Sequence, residues 1–324
     1  MFRVVCVVAL AFWSAAAHAH NVTAGINIDP VNPSGYPTAQ ELAELGARWA
    51  RVEFKVLTTL DAAFVTYNGV VQRYVEDPAE IKVLFILDYT TLPGQPDVTA
   101  PASAWEKYTE SFAQRCQVIA HNFSKYGTNI AFEVWNEPDY TSSTPAYHPT
   151  VPGEAYGKML KLSYQKIKAT SNATVVMGGL CSGDPSYLSQ VDAHGQGLWV
   201  DAIGLHPYGR RPDQSWPSAS WGFGTLSDLV GSYRTEIAKL TPRAVPLWLT
   251  EYGDADVNSQ GLFPQHAFDS INSAQQGTEV PLLFWFCYSD GMVTPFGLVD
   301  KNGSPKPSYA SFQAYAQHHL DLAA

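Results

Sequence analysis

The sequence alternates between short apolar runs and longer segments in which apolar side chains recur every three or four residues. Several of the runs are apolar almost throughout, as expected for parallel strands that are covered on both faces. The eight runs are Val22–Ile28, Trp49–Phe54, Lys82–Tyr89, Ile130–Trp135, Thr174–Leu180, Val200–Leu205, Pro246–Thr250 and Pro281–Tyr288. This alternation predicts a series of strand–helix units.

The segments between the runs have the periodicity of amphipathic helices. Thr38 can cap a helix through Leu42 and Leu45, because its hydroxyl can accept a hydrogen bond from a free N–H of the first turn. A longer apolar stripe precedes the fourth run, and its spacing places it on one helix face. Its members are Trp105, Tyr108, Phe112, Cys116, Ile119 and Phe123. Cys116 is therefore predicted to be a buried core thiol.

The number of these units favours a closed barrel over an open sheet. Eight strands and roughly 300 residues fit a (β/α)8 barrel, which usually has about 250 residues or more. A doubly wound sheet would normally carry a Gly-rich phosphate-binding turn after its first strand, and the segment from Gly25 to Pro30 has no such turn. We predict a single (β/α)8 TIM barrel over residues 20–324.

The first residues have the composition of a secretory signal peptide. Arg3 precedes an apolar run from Val4 to Trp13, and Ala17-His18-Ala19 has the small-x-small pattern of a cleavage site. The run is too short for a membrane span, and no later stretch reaches about 18 uninterrupted apolar residues. We predict a signal peptide over residues 1–19 and a secreted, extracellular protein without a membrane partner.

Charge and cysteine content narrow the possible partners. The sequence has 30 acidic and 20 basic residues, a formal net charge of −10. Such a surface repels phosphate groups, which argues against nucleic acid and anionic membranes but not against neutral sugars. Beyond the predicted signal peptide the cysteines are Cys116, Cys181 and Cys287, so at most one disulfide can form. The histidines show no metal-binding spacing, and we expect neither a metal nor an organic cofactor.

Two glutamates stand where predicted strands four and seven end. Glu137 lies between Asn136 and Pro138, and Glu251 is followed two residues later by Gly253. Barrel enzymes carry their catalytic groups at the C-terminal ends of the strands, so we expect both glutamates over the barrel mouth. Glycoside hydrolysis requires such a pair, one carboxyl to protonate the leaving oxygen and one carboxylate to attack the anomeric carbon. The charge of one would raise the pKa of the other.

The motifs Trp-Asn-Glu-Pro and Thr-Glu-Tyr-Gly resemble those of the clan A, or 4/7 superfamily, retaining glycoside hydrolases. The resemblance covers nearly all of residues 20–324, and it implies that Glu137 is the acid/base and Glu251 the nucleophile. It also implies a covalent glycosyl-enzyme intermediate. The closing segment, Phe296–Asp300 followed by Lys306–Tyr309, is similar to that of family 39-like and family 5-like enzymes. Between these two we favour a family 39-like enzyme.

The resemblance also assigns several substrate-binding positions. Asn136 matches the residue that binds the sugar 2-hydroxyl. His206 and Tyr208 match residues that line the reaction subsite, with Tyr208 orienting the nucleophile. Trp285 resembles the aromatic floor under the bound sugar. All four would then lie at the barrel mouth with the two glutamates.

Arg51 has two possible roles. It resembles the arginine that many clan members hold beneath the catalytic carboxylates, but it shares a strand face with Glu53 and could simply pair with it. Glu133 shares a face with Glu137 by the two-residue period of a strand. If Glu133 points inward it needs a cationic or hydrogen-bonding partner, and Arg51 is the candidate.

The loop after the sixth run is rich in tryptophan. Trp216 and Trp221 could form a small satellite core or a wall on which sugar rings stack, and we favour sugar binding for at least one of them.

Together these features predict a secreted retaining β-glycosidase that acts as a monomer on a β-linked polysaccharide or oligosaccharide. Cleavage within the glycan chain is favoured. A transglycosylase would use the same two glutamates, and a non-hydrolytic carbohydrate-binding barrel would lack one of them.

Overall fold

Eight parallel strands close into a barrel in a computed structural model that describes residues 22–141, 149–216, 224–274 and 280–321. Each strand pairs with the next along the sequence, and the last pairs with the first. The strands are β1 (Thr23–Asn27), β2 (Ala47–Glu53), β3 (Lys82–Leu87), β4 (Ile130–Val134), β5 (Thr174–Leu180), β6 (Ala202–Leu205), β7 (Leu247–Tyr252) and β8 (Leu282–Trp285). The predicted strands and the (β/α)8 TIM barrel are confirmed. The predicted signal peptide lies outside the described residues.

Helices follow the strands around the outside of the barrel. They are α1 (Ala39–Glu44), α2 (Leu60–Tyr74), α3 (Ala102–Asn122), α4 (Gly153–Lys168), α5 (Ser186–Gly195), α6 (Leu226–Leu240), α7 (Phe263–Ala274) and α8 (Pro307–Asp321). Thr38 caps α1 as predicted, and Glu41 returns a hydrogen bond to its backbone. The helix ends at Glu44, because Gly46 takes a left-handed conformation (φ 81°) just before β2. None of the described helices is long and apolar enough to cross a membrane.

The apolar stripe of α3 packs on the barrel as its spacing predicts. All six of its members are buried, and the Phe112 ring lies 5.5 Å from that of Trp135 at the end of β4. Cys116 is fully buried and has a free thiol, which confirms the prediction for it. Cys181 and Cys287 are also free thiols, so the possible disulfide does not form.

A separate hydrophobic core fills the barrel interior, and a layer of charged residues lies directly above it. Its members are Trp49, Leu84, Ala131, Val176, Ala202, Trp248, Leu282 and Phe284. Side chains alternate along a strand, so residues two positions further on enter the same interior one layer higher. Arg51 follows Trp49 in this way, and Glu133 follows Ala131. This layer of charged groups lies at the carboxyl ends of the strands.

Candidate active site

Arg51 is a buried guanidinium that holds two carboxylates and two amides. Its Nε donates to Glu133 Oε2 at 2.6 Å, and its Nη1 donates to Glu251 Oε1 at 2.6 Å. It also donates to Asn27 Oδ1 at 2.7 Å and to Asn136 Oδ1 at 2.9 Å. Burial disfavours the charge of Arg51, but the two neighbouring carboxylates outweigh that effect and raise its pKa. Arg51 therefore remains a cation that is fixed in position.

These contacts decide between the two roles considered for Arg51. Pairing with Glu53 is wrong, because Glu53 lies instead against Lys55, with its Oε2 3.2 Å from the ammonium nitrogen. The predicted contact between Arg51 and Glu133 is confirmed. Arg51 thus lies beneath Glu251 and belongs to the candidate site.

Glu133 is a buried carboxylate that is held by donors from three other strands. Besides the two bonds from Arg51, it accepts the Gly179 N–H at 2.7 Å and the Thr250 hydroxyl at 3.2 Å. A buried charge is tolerated only when it is paired and hydrogen-bonded, and here both conditions are met. Glu133 is therefore a structural anchor for the arginine.

Glu251 is fixed through both of its carboxylate oxygens. Arg51 contacts Oε1, and the Tyr208 hydroxyl donates to Oε2 at 3.1 Å. Burial opposes ionisation, but the charges of His206 and Arg51 and the hydrogen bonds from Arg51 and Tyr208 lower the pKa of Glu251 below its ordinary value. Burial and the neighbouring carboxylates raise the pKa of Tyr208, which keeps it a neutral donor. Glu251 is therefore an oriented anion.

The position of Glu251 depends on an irregularity in β7. By strict alternation Thr250 and Glu251 would point to opposite sides of the strand. Both enter the interior, because the pairing of β7 with β8 shifts register at this point. Such irregularities are frequent beside active sites, where they redirect a side chain. Here the shift places the glutamate against Arg51.

Glu137 lies just beyond β4 in a strained segment of backbone. Trp135 and Glu137 both take left-handed conformations, with φ of 75° and 50°, which residues with a Cβ rarely adopt.

Oε1 of Glu137 lies 2.7 Å from Nδ1 of His206. Burial lowers the pKa of His206, but Glu251 and Glu137 outweigh that effect and raise it. His206 thus connects the two glutamates.

The two predicted catalytic carboxylates are close together. One oxygen of Glu137, one oxygen of Glu251 and a ring nitrogen of His206 all lie within 4.8 Å of one another. Among the described residues, Glu137, His206 and Glu251 are also the one group of at least three His, Cys, Asp or Glu side chains whose ligand atoms lie close enough together to hold a metal ion. The Arg51 guanidinium touches Glu251 and lies 3.3 Å from His206 Nε2, so a fixed cation already faces these atoms. The arrangement therefore suits proton transfer and nucleophilic attack.

A cleft of about 310 Å³ opens above this layer. Asn27, Arg51, Asn136 and Glu251 line its inner end. The rest of its wall was not anticipated from the sequence and includes Asp29, Glu53, Lys55, Tyr89, Phe286 and Met292. Asp29 and Lys55 had a detectable signal, because each is the first residue beyond a predicted strand. The cleft gives a substrate access to Glu251.

Trp285 does not form the aromatic floor of the cleft, and that prediction is wrong. Its side chain is almost fully buried, and its Nε1 donates to the Phe296 carbonyl at 3.1 Å. Its ring packs against Phe263 of α7 and Phe312 of α8, at 5.9 and 6.1 Å between centroids. Leu282 and Phe284 of β8 face the barrel interior, so by the alternation of a strand Trp285 faces the helices. The aromatic residue that lines the cleft just after β8 is Phe286.

Trp216 belongs to a small satellite core, so the favoured sugar-binding role is wrong for this residue. It is buried against Phe263 and His266, with ring centroids 5.3 and 5.1 Å away. Asp213 accepts its backbone N–H at 3.1 Å and contacts Nδ1 of His266 at 2.6 Å. These contacts attach the loop after β6 to α7. Trp221 lies outside the described residues and stays a prediction.

Comparison with known proteins agrees with this geometry. A family model described as Cellulase (glycosyl hydrolase family 5) matches residues 39–289. No curated protein matches the chain.

Several solved structures share the fold of this chain. A GH5-4 broad specificity endoglucanase from Clostridium acetobutylicum has a TM-score of 0.65 at 15% identity, over 91% of this chain and 96% of that one. Thermotoga maritima Cel5A in complex with mannotriose has a TM-score of 0.61 at 16% identity, over 91% and 98%. A GH128 endo-beta-1,3-glucanase from Amycolatopsis mediterranei has a TM-score of 0.53 at 19% identity, over 91% and 99%.

The family match covers well over half of the sequence and decides between the two families that its motifs resemble. It corrects the preference for a family 39-like enzyme and agrees with the family 5-like alternative. The chain is a clan A glycoside hydrolase and belongs to glycosyl hydrolase family 5.

Proposed function

We propose that this protein is a secreted, monomeric, retaining β-glycosidase that cleaves within a β-linked polysaccharide or oligosaccharide. Glu251 is the nucleophile and Glu137 the acid/base. The observation that carries the proposal is the spacing of the two carboxylates, whose nearest ligand oxygens lie within 4.8 Å of each other. Retaining enzymes hold the two groups about 5–5.5 Å apart, whereas inverting enzymes leave about 6.5–9.5 Å for a water molecule.

The reaction proceeds in two displacements. In the first, a Glu251 oxygen bonds to the anomeric carbon while the glycosidic bond breaks and the Glu137 proton passes to the leaving oxygen. In the second, the Glu137 carboxylate takes a proton from water, the water oxygen bonds to the anomeric carbon, and the ester bond to Glu251 breaks. The configuration at the anomeric carbon is retained because it is inverted twice.

The surrounding residues support these roles. The contacts of Arg51 and Tyr208 with Glu251 keep it ionised and oriented before the substrate arrives. Arg51 also donates to Oδ1 of Asn136, which turns the amide NH2 group outward as a donor for the sugar 2-hydroxyl. Hydrogen bonds to this hydroxyl strengthen in the transition state. The contact with His206 holds Glu137 in place.

Cleavage within the glycan chain is supported by the kind of protein that shares this fold. The similar structures include a broad specificity endoglucanase, an endo-beta-1,3-glucanase and a protein in complex with mannotriose. We therefore place neutral β-glucans and β-mannans first among the substrates to be tested. A transglycosylase would use the same residues, and only the products separate it from a hydrolase.

The decisive experiment compares wild type with Glu251→Gln and Glu137→Gln on β-glucans, mannans, xylans and galactans, with products measured by mass spectrometry. Glu251→Gln should abolish turnover of every substrate. Glu137→Gln should lose roughly 10²- to 10⁴-fold on glycans but keep the first step on a 2,4-dinitrophenyl glycoside, whose leaving group needs no proton. The exposed Glu154→Gln is the control. A Glu251→Gln variant with wild-type activity would refute the proposal.

Secretion is tested separately, because it rests on the composition of residues 1–19. The full chain would be produced in a secretory host, and the N-terminus of the extracellular protein determined. We expect His20 as the first residue. Retention of an uncleaved chain inside the cells would contradict the signal peptide.

A further inference from the structure

The cleft runs from Glu251 toward the residues that follow β1, β2 and β3, where Asp29, Lys55 and Tyr89 line it. Glu251, Arg51 and Asn136 line its inner end, whereas Glu137 is not on its wall. Because the acid/base protonates the leaving group, the departing sugars lie on the side of Glu137. The cleft beyond Glu251 therefore receives the sugars that stay attached to the nucleophile. Its far wall contacts the glycone.

That far wall carries a lysine between two carboxylates. The Lys55 ammonium lies 3.2 Å from Glu53 Oε2 and 3.5 Å from Asp29 Oδ2. Charge-assisted hydrogen bonds are usually about 2.7–2.9 Å long, and Arg51 holds its carboxylates at 2.6 Å. Lys55, Glu53 and Asp29 are each about one quarter exposed, at 24%, 27% and 21%. The three groups are thus loosely paired and still reach the cleft.

The backbone beneath the three groups is held rigidly. The buried Tyr67 hydroxyl accepts the Lys55 N–H at 2.7 Å and donates to the Glu53 carbonyl at 2.7 Å. Asp29 accepts the Val31 N–H through Oδ1 at 3.0 Å, which leaves Oδ2 facing Lys55. Groups that are positioned in advance bind a ligand without a large ordering cost.

The charge of the wall defines the kind of sugar it accepts. Asp29, Glu53 and Lys55 sum to a formal charge of −1, and the buried Asp88 lies behind Glu53 with a pKa that burial and Glu53 raise well above its ordinary value. Carboxylates accept hydrogen bonds from sugar hydroxyls, and the ammonium donates to a hydroxyl oxygen. The carboxylate of a uronic acid would meet two like charges here.

We infer that Lys55, together with Asp29 and Glu53, forms the subsite for the second sugar unit on the glycone side and selects a neutral, hydroxyl-rich sugar. This inference rests on the proposed function. It assigns recognition at this subsite to charged groups that hydrogen-bond the ring hydroxyls. The aromatic Phe286 of the cleft wall packs beside Tyr208 instead, at 6.2 Å between ring centroids.

The test compares substrates with one and two glycone units. The probes are 4-nitrophenyl β-glycosides of glucose and cellobiose, mannose and mannobiose, and xylose and xylobiose. Wild type should cleave the two-unit member of one pair with a higher kcat/KM than the one-unit member. Lys55→Met should lower the two-unit kcat/KM about 10- to 100-fold, the loss of a charged hydrogen bond, and leave the one-unit value within about twofold.

The matched control is Lys158→Met, because Lys158 also lies between two carboxylates, Glu106 and Glu154, each at 3.3 Å, but far from the cleft on α4. It should leave both values unchanged. Asp29→Asn and Glu53→Gln should each lower the two-unit value selectively. Equal effects of Lys55→Met on both substrates would overturn the inference while leaving the proposed function intact. Absence of wild-type cleavage of every probe and glycan would overturn both.

Discussion

At the scale of single residues, the site depends on one arginine that satisfies several acceptors at once. A guanidinium has five donors in a rigid plane, and Arg51 uses them on Glu133, Glu251, Asn27 and Asn136. A lysine would bring the same charge but could not span these acceptors. Removing one partner of a buried ion pair leaves the other uncompensated and typically costs about 3–5 kcal/mol. Arg51 therefore contributes to stability as well as to the orientation of Glu251.

Tyr208→Phe should shift the pH dependence of the enzyme. The hydroxyl of Tyr208 stabilises ionised Glu251, so its removal raises the pKa of that glutamate. Because the proposed nucleophile must be ionised to attack, the acidic limb of the kcat/KM profile should move to higher pH. At the optimum, kcat/KM should fall roughly 10- to 100-fold.

The control for this change is Tyr126→Phe, which removes a hydroxyl that contacts Glu76 on the surface. It should leave the profile unchanged. An unchanged acidic limb in Tyr208→Phe would mean that this contact does not tune Glu251.

Asp88→Asn should stabilise the protein increasingly as the pH rises. Burial and Glu53 raise the pKa of Asp88 in the folded state. A carboxyl group whose pKa is raised on folding stabilises the folded protein at pH values below its unfolded-state pKa. That stabilisation is lost as the pH rises through the folded-state pKa. Thermal unfolding from pH 4 to pH 8 should show a difference in Tm between variant and wild type that grows with pH.

Asp97→Asn is the matched control, because Asp97 makes the same turn contacts with Thr99 that Asp88 makes with Thr90, but at an exposed position. The difference in Tm between Asp97→Asn and wild type should not grow with pH. If the difference in Tm between Asp88→Asn and wild type stayed constant with pH, ionisation of Asp88 would not destabilise the folded protein.

At the scale of elements, the strands could be predicted because they are covered on both faces and so read as continuous apolar runs. Glu137 and Glu251 could be located because each lies within two residues of the end of such a run. Trp285 was misplaced because residue type was given more weight than alternation, and alternation turns it toward α7 and α8. The contacts of Trp216 with α7 and of Lys55 with Asp29 join residues that are distant in sequence, and no local pattern reveals such contacts.

Trp216→Ala and Phe286→Ala should separate packing from substrate binding. Trp216→Ala should lower the free energy of unfolding by about 3–5 kcal/mol without raising KM, because the residue is buried away from the cleft. Phe286→Ala should raise KM, because its side chain lines the cleft. Denaturant unfolding and steady-state kinetics on the same preparations would show this. A Trp216→Ala variant with raised KM and unchanged stability would restore its role as a sugar platform.

Gly179→Ala should disable the site, because β5 approaches His206 too closely for a side chain. A Cβ at this position would lie 2.0 Å from Nε2 of His206. The ring would have to move, which would break its contact with Glu137. We expect kcat to fall at least about 10-fold. Gly69→Ala is the control, because this helical position has open space around it and alanine should be neutral or stabilising by up to about 1 kcal/mol. Equal activity of both variants would contradict the steric argument.

At the scale of the whole molecule, the closed barrel brings all the charged groups of the site to one end, while the sequence as a whole carries a net charge of −10. An acidic protein repels anionic polymers over distances that salt shortens. A neutral glycan experiences no such force. Net charge therefore discriminates between glycans before any contact in the cleft is made.

Salt should reveal this discrimination. Between about 10 mM and 500 mM NaCl, where the screening length falls several-fold, kcat/KM on a neutral glycan should change less than about twofold. On an anionic derivative such as carboxymethyl cellulose, it should rise with salt. Initial rates measured on both substrates would test this. A strong salt dependence on the neutral glycan would show that long-range charge contributes to its capture.

The contacts of Arg51 also order events during synthesis of the chain. Its partners lie 24, 82, 85 and 200 positions away in sequence, so Glu133 emerges from the ribosome long before Glu251. Glu133 is therefore available to pair with Arg51 before Glu251 has been synthesised. Closing the loop to Glu251 is the most distant of these steps and carries the largest entropic cost. The candidate site is therefore complete only when the barrel closes, so on the proposed mechanism an unfinished chain cannot cleave a glycan.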